Sequence, residues 1–148
     1  MSSAERSLEL FLVDTLIAIE KVKNYTKEFT SADDLKYDEL HWDATIRELE
    51  IIGEALNNLL KDTEFTSVSP DYFRKIVNFR NAIAHGYFGI VEEEVWDIIT
   101  EKLDILKNDL LNVIKNNFDI TEAIQSEVYK HKSMINYFNT LDLNKRKK

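Results

Sequence analysis

Apolar residues return every three or four positions along most of this chain, and very little in it could interrupt a helix. Its 148 residues include three glycines and one proline. A sheet protein of this length needs many tight turns, and turns draw heavily on those two residue types. Leu, Glu and Lys, which favour helix, are common in the intervening runs. The fold class read from this pattern is all-α. With 44% hydrophobic residues, the chain has the size and apolar content of one domain with a substantial core.

The stripes divide the chain into helices. Residues 5–29 carry Leu8, Phe11/Leu12, Leu16, Ile19, Val22 and Thr26/Phe29 on one face. A polar connection, TSADDLKYDE, leads to a second stripe of Trp42, Ile46, Leu49, Ile52/Gly53, Leu56 and Leu59/Leu60. Gly53 lies inside that stripe, where a missing side chain lets a neighbouring helix come close. Arg47, Ile51, Glu54 and Asn58 fall on the opposite, semi-polar face, which suits solvent or a partner. DTEFTSVSP is the main punctuation, with Ser69 as a candidate N-cap and Pro70 at a first helical position. A third helix runs to about His85, with Gly86 as a C-terminal cap and YFGI as a short connection. Glu92, Glu93 and Glu94 open a fourth helix at the positive end of its dipole, and its stripe is Val95/Trp96, Ile99, Leu103, Leu106, Leu110 and Val113/Ile114. Asp119 with Glu122 resembles a capping box for a fifth helix that aligns Ile124, Val128, His131, Ile135 and Phe138.

Several function classes drop out early. There is no cysteine, so thiolate metal sites, thiol nucleophiles and disulfides are unavailable, in keeping with a reducing cytoplasm. MSSAERSLELF lacks a signal-peptide pattern, and no apolar run approaches the roughly 18 residues of a membrane span. A soluble, cytoplasmic protein without membrane contact is the expectation. The net charge of −8 argues against broad nucleic-acid binding. The charge is uneven, however: residues 31–69 hold ten acids and three bases, whereas residues 70–90 hold one acid, Asp71, and three bases, Arg74, Lys75 and Arg80. The C-terminal NKRKK reads as a solvated end.

The third helix contains the anomaly. At about 100° per residue from Phe73, the positions Ile76, Val77, Ile83 and Ala84 form one apolar face, and Arg80 falls within about 20° of its centre. A buried guanidinium costs several kcal/mol unless it is paired, snorkels to an edge or lines a cleft. Two readings stay open: a buried ion pair with an acid such as Glu54, or a functional cation. His85 is five residues on, about 140° around an ideal helix, and a histidine at a helix C-terminus is also favoured by the dipole alone. Asn81 shares a side with His85. His41 reads as part of a polar turn, and His131 as a core or interface imidazole on the fifth stripe. No HExxH, HxxxH or DxD pattern is present, so no metal or other cofactor is expected.

Arg80-Asn81-x3-His85-x-Tyr87 resembles the R-x4-H-x-Y motif of HEPN-domain proteins of the HepT type, the ribonuclease toxins of toxin–antitoxin pairs. IRELEIIGEALNNL (46–59) is similar to that family's second helix, and SPDYFRKIVNFRNAIAHGYFGIVEEEVWDII (69–99) resembles its core from third to fourth helix. The likeness covers roughly residues 6–115. It implies an antiparallel helical bundle of four core helices, with residues 1–115 as the HEPN domain and 116–148 as a C-terminal helical extension ending in a basic tail.

The resemblance also implies a function. It points to a homodimer that brings two R-x4-H motifs to one cleft, and to metal-independent endoribonuclease activity of a type II toxin on tRNA or mRNA. Arg80 would hold the phosphate, His85 would transfer protons, and Asn81 would orient the imidazole or a phosphate oxygen. The family's partner antitoxin is a minimal nucleotidyltransferase (MNT) that adenylylates the motif tyrosine, here Tyr87, whose plainer role is that of a packed aromatic. The competing function is a non-catalytic substrate- or nucleotide-binding subunit of a two-chain nucleotidyltransferase. A third is a structural dimer in which Arg80 is only an interface ion pair.

Overall fold

The computed structural model describes residues 6–84, 92–128, 130–131 and 134–141, and of residues 82–84, 128 and 135 the backbone alone. Among the described residues there is helix and no strand. Helix α1, Leu8–Thr26, starts at an N-cap, Ser7, whose hydroxyl accepts from the Leu10 amide. Its Leu12, Leu16, Ile19 and Val22 are fully enclosed. Val13, Ile17 and Ala18 are buried as well, so α1 is covered on more than one side and acts as the central element.

The connection after α1 is not simply polar. It contains α2, Ala32–Tyr37, whose N-cap Ser31 accepts from the Asp34 amide and whose Leu35 is completely buried. Helix α3, Glu39–Leu59, follows at once, with Asp38 capping the His41 amide. His41 therefore sits in the first turn of a helix rather than in a loop, and its Nδ1 lies 2.9 Å from the same Asp38 carboxylate. The stretch expected to be punctuation also holds a helix, α4, Thr63–Val68, capped by Asp62 and anchored by the fully buried Phe65. In both places one apolar anchor and one cap suffice for about a turn and a half, too short for a stripe to register.

Helix α5, Phe73–Ala84, begins three residues after Pro70. Ser69 does not cap it, because its hydroxyl lies 3.4 Å from the Thr66 carbonyl at the end of α4. The proposed C-terminal cap at Gly86 and the YFGI connection lie outside the described residues. Next come α6, Glu92–Asp97, a π turn, Ile98–Lys102, and α7, Leu103–Asn117. The flanking residues Asp97 and Leu103 keep right-handed helical dihedrals, so 92–117 is one rod with a π bulge inside it. The bulge explains the stripe. Val95 and Leu103, both buried, are eight residues apart, which in plain α-helix would leave them about 80° out of phase; absorbing one residue restores them to within about 20°.

The C-terminal part is two short helices, α8, Thr121–Val128, and α9, Ile135–Thr140, and not one continuous fifth helix. Asp119 accepts from the Thr121 amide at 3.0 Å at the start of α8. No glycine or proline stands between the two helices; burial of Met134 and Phe138 is what fixes the second one. Phe118, Ile120, Ala123, Met134 and Phe138 belong to the same hydrophobic cluster as the residues of α1, α3 and α7. Helix α1 packs on α3, α7 and α8, and α3 packs on α5 and α2.

Charge joins α8 to α1. Arg6 donates through Nε and Nη2 to both oxygens of Asp14 at 2.9 and 2.8 Å. The same guanidinium lies 3.4 Å from Glu127 Oε2, a residue only 3% exposed, and Lys130 Nζ stands 3.5 Å from that same oxygen. The Asp14 bond, together with the two carboxylate charges, outweighs partial burial and pushes the Arg6 pKa above its ordinary value. Beside this cluster, burial holds the His131 imidazole below its ordinary pKa, so the neutral form is favoured.

Candidate active site on the seam between two helices

Helices α3 and α5 meet at Gly53. A Cβ built on Gly53 would stand 2.1 Å from Arg80 Cβ and 2.6 Å from its Cγ, closer than any real contact. The missing side chain is thus the space in which the Arg80 stem lies, as expected for a glycine inside an apolar stripe. Arg80 faces α3 as its position among Phe73 and Val77 requires, and those two neighbours are buried.

The head of Arg80 does two things. Nη2 forms an ion pair with Glu54 Oε1 at 2.8 Å, so the sequence-based alternative of pairing with Glu54 is realised in the structure. Nε, by contrast, is buried and has no hydrogen-bond partner among the described residues. An enclosed, unsatisfied guanidinium N–H costs on the order of 1–3 kcal/mol, which a residue selected for packing would avoid. The partners also differ in freedom: the Arg80 side chain is 18% exposed and that of Glu54 60%.

Beside this pair runs an apolar groove of about 410 Å3. Leu49 and Ile52 of α3, Ile76 and Phe79 of α5, and Leu106 of α7 line it, with Lys75 and Lys102 among its residues. Ile52 and Phe79 are the chain neighbours of Gly53 and Arg80, so groove and cation share one seam. The Tyr72 hydroxyl, also on the groove, donates to Asp109 Oδ2 at 2.6 Å and ties the start of α5 to α7. Burial, reinforced by Asp109, raises the Tyr72 pKa well above its ordinary value, so the phenol stays protonated.

Of the residues singled out from sequence, Arg80 is placed at this seam and Asn81 is exposed beside it. His85 and Tyr87 lie outside the described residues. His41 and His131 are not brought to Arg80: the first is paired with Asp38, and the second sits by the Arg6 cluster. Asp33, Glu92 and Glu93 place carboxylate oxygens within 4.8 Å of one another where α2 meets α6, and they are the described residues whose geometry could hold a cation. Lys36 stands 3.8 Å from Glu92 and answers part of that charge. Sequence reasoning missed the groove lysines as a pair, because Lys75 and Lys102 are far apart in the chain. It also missed Asp109, whose only signal is its half-buried place on α7.

The profile of the HepT-like ribonuclease family matches residues 15–114. This chain belongs to that family. A protein of Methanocaldococcus jannaschii named as a candidate RNase is 32% identical over 113 residues, covering 76% of this chain and 91% of the relative. A protein of Thermococcus cleftensis named a probable ribonuclease HepT is 35% identical over 104 residues, covering 70% of this chain and 92% of the relative. A candidate RNase of Caldanaerobacter subterraneus is 30% identical over 116 residues, covering 78% and 97%. No solved structure matches the chain. For a HepT-like protein the all-α fold is the expected one, and the family match runs from within α1 through most of α7 and includes the Gly53–Arg80 seam. No described helix is long and apolar enough to cross a membrane.

Proposed function

We propose that this HepT-like protein is a metal-independent endoribonuclease and the toxin of a type II toxin–antitoxin pair, acting in the cytoplasm on tRNA or mRNA. The observation that carries the reading is Arg80: a guanidinium whose stem is set into an apolar seam by a glycine while its side chain keeps some exposure, in a family of ribonucleases. A planar, permanently charged fork suits a phosphate diester whose negative charge grows in the transition state. The ribose 2′-oxygen attacks phosphorus and the bond to the 5′-oxygen breaks, giving a cyclic phosphate and a free 5′-hydroxyl. His85 is assigned the proton transfers of that exchange and Asn81 the orientation of the imidazole or a phosphate oxygen.

A second copy is part of the proposal. The apolar groove adjoining Arg80 supports it, because a surface of that character is better covered than wet, and a two-fold partner would bring a second motif to the seam. We assign inhibition to an MNT-type nucleotidyltransferase that adenylylates Tyr87, since added AMP brings bulk and negative charge to the site and repels RNA.

One observation favours the competing reading, a non-catalytic substrate- or nucleotide-binding subunit of a two-chain nucleotidyltransferase: Arg80 already has an anionic partner in Glu54. The separating experiment is incubation of purified protein with total tRNA in EDTA, beside folded His85→Ala and Arg80→Ala variants, after intact mass has excluded AMP on Tyr87. Cleavage by wild type alone supports the nuclease; intact tRNA with unmodified wild type refutes it.

A further inference from the structure

The Arg80–Glu54 contact is lopsided. The Arg80 stem is fixed, pressed into the space that Gly53 leaves, and its side chain is largely enclosed. Glu54 has no comparable anchor. Its carboxylate is mostly exposed, and the hydrogen bond that Asn58 makes to this residue, at 2.9 Å, goes to the backbone carbonyl and not to the side chain. Glu54 touches the guanidinium through one oxygen at 2.8 Å, in contrast to the two-oxygen grip of Asp14 on Arg6. A fixed cation with a free-swinging anion is an arrangement in which the anion can be exchanged. Rotating Glu54 into water recovers side-chain entropy, and an incoming phosphate oxygen replaces the contact that Nη2 gives up.

We propose that Glu54 is an internal competitor for the substrate phosphate: its carboxylate occupies the place on Arg80 that a phosphate oxygen takes, and RNA binds by displacing it. This rests on the reading of Arg80 as the phosphate ligand. Two anions cannot share one guanidinium without mutual repulsion, so Glu54 weakens every phosphate that approaches Arg80. It does so selectively. A lone phosphate on Arg80 alone must overcome the repulsion unaided, whereas a polynucleotide that also meets Lys75, on the same helix, has further attraction with which to displace the carboxylate.

The test uses binding without cleavage. A fluorescent 2′-O-methyl RNA, which has no free 2′-hydroxyl to attack, is titrated with wild type, Glu54→Gln, Arg80→Ala and the double variant, and anisotropy gives each Kd. Glu54→Gln keeps shape and removes charge, and is expected to tighten binding about fivefold at low salt, the scale of one charge pair at contact in water. The gain shrinks as salt rises. Arg80→Ala weakens binding, and on that background Glu54→Gln gives no further gain. A gain that persists in the double variant, or no gain at all, overturns the competitor while leaving Arg80 as phosphate ligand. Unchanged binding by Arg80→Ala overturns the ligand role of Arg80 itself, and the competitor with it. Circular dichroism of each variant verifies folding, which an exposed Glu54 side chain does not endanger.

Discussion

Two arginines in this molecule face carboxylates, and they are held in opposite ways. Arg6, joining α1 to α8, makes two short hydrogen bonds to Asp14 and lies against the buried Glu127, whose Oε2 Lys130 also approaches. Arg80, joining α5 to α3, has one contact with an exposed carboxylate and a buried Nε with no partner among the described residues. The first arrangement spends its hydrogen-bonding capacity on holding two helices together. The second holds its carboxylate through a single contact to an exposed partner, a looser grip than the first.

Replacing each arginine by an isosteric apolar residue breaks the comparison most sharply. Arg80→Met should abolish tRNA cleavage, by about 10²- to 10³-fold in kcat/KM. Its urea midpoint should stay level or rise, because an apolar chain suits the seam better than a half-satisfied cation. Next in size, Gly53→Ala should cost about 2–3 kcal/mol in urea unfolding and depress cleavage as well, since the new methyl meets Arg80 Cβ and Cγ and one helix must shift. Arg6→Met should cost about 2 kcal/mol by leaving the Glu127 carboxylate buried beside Lys130 alone, while cleavage per folded molecule stays at the wild-type level. Equal effects of the two arginine substitutions on stability and cleavage would erase the distinction.

The smallest expected effect concerns Glu48, a buried carboxyl on α3. Burial raises its pKa above the ordinary value, with Lys21 and Arg47 only partly offsetting it. The folded state therefore binds this proton more tightly than the unfolded one, and the group costs stability as pH rises above its unfolded pKa. Glu48→Gln should raise neutral-pH stability slightly and remove the loss of stability that develops as pH rises above the unfolded pKa and through the folded-state pKa of this carboxyl. A loss of stability at neutral pH would show that the charged form is wanted there.

Much of this was legible in the chain before any coordinates. The long stripes gave α1, α3 and the rod over 92–117, because burial along one face repeats with the helical period. The same arithmetic put Arg80 at the centre of an apolar face and marked Gly53 as a point of close approach, and the need to pair a buried cation offered Glu54 as one example of a partner. What escaped were features without a period. Helices α2 and α4 rest on single anchors, Leu35 and Phe65, with the caps Ser31 and Asp62, and neither is long enough to show a stripe. The fifth stripe hid a break, since Ile124 and Phe138 look aligned whether or not helix joins them. Arg6 and Glu127 lie at opposite ends of the described chain, and no local pattern foretells such a pair. His85 and Tyr87, which the motif makes central, lie outside the described residues, so their roles rest on the family resemblance.

The π bulge gives the rod over 92–117 an unusual tolerance in its length. Leu103 donates its amide to the Ile98 carbonyl, five residues back, so one residue in Ile98–Lys102 is surplus to the helical count. Deleting a residue there lets the segment close up as ordinary α-helix with Val95 and Leu103 still on one side. The same deletion at Asn108 would turn everything beyond it by about 100° and pull Leu110 and Ile114 out of the core. Length variation among relatives should therefore be accepted in that one turn, beside the groove and Arg80, and refused along the rest of the rod.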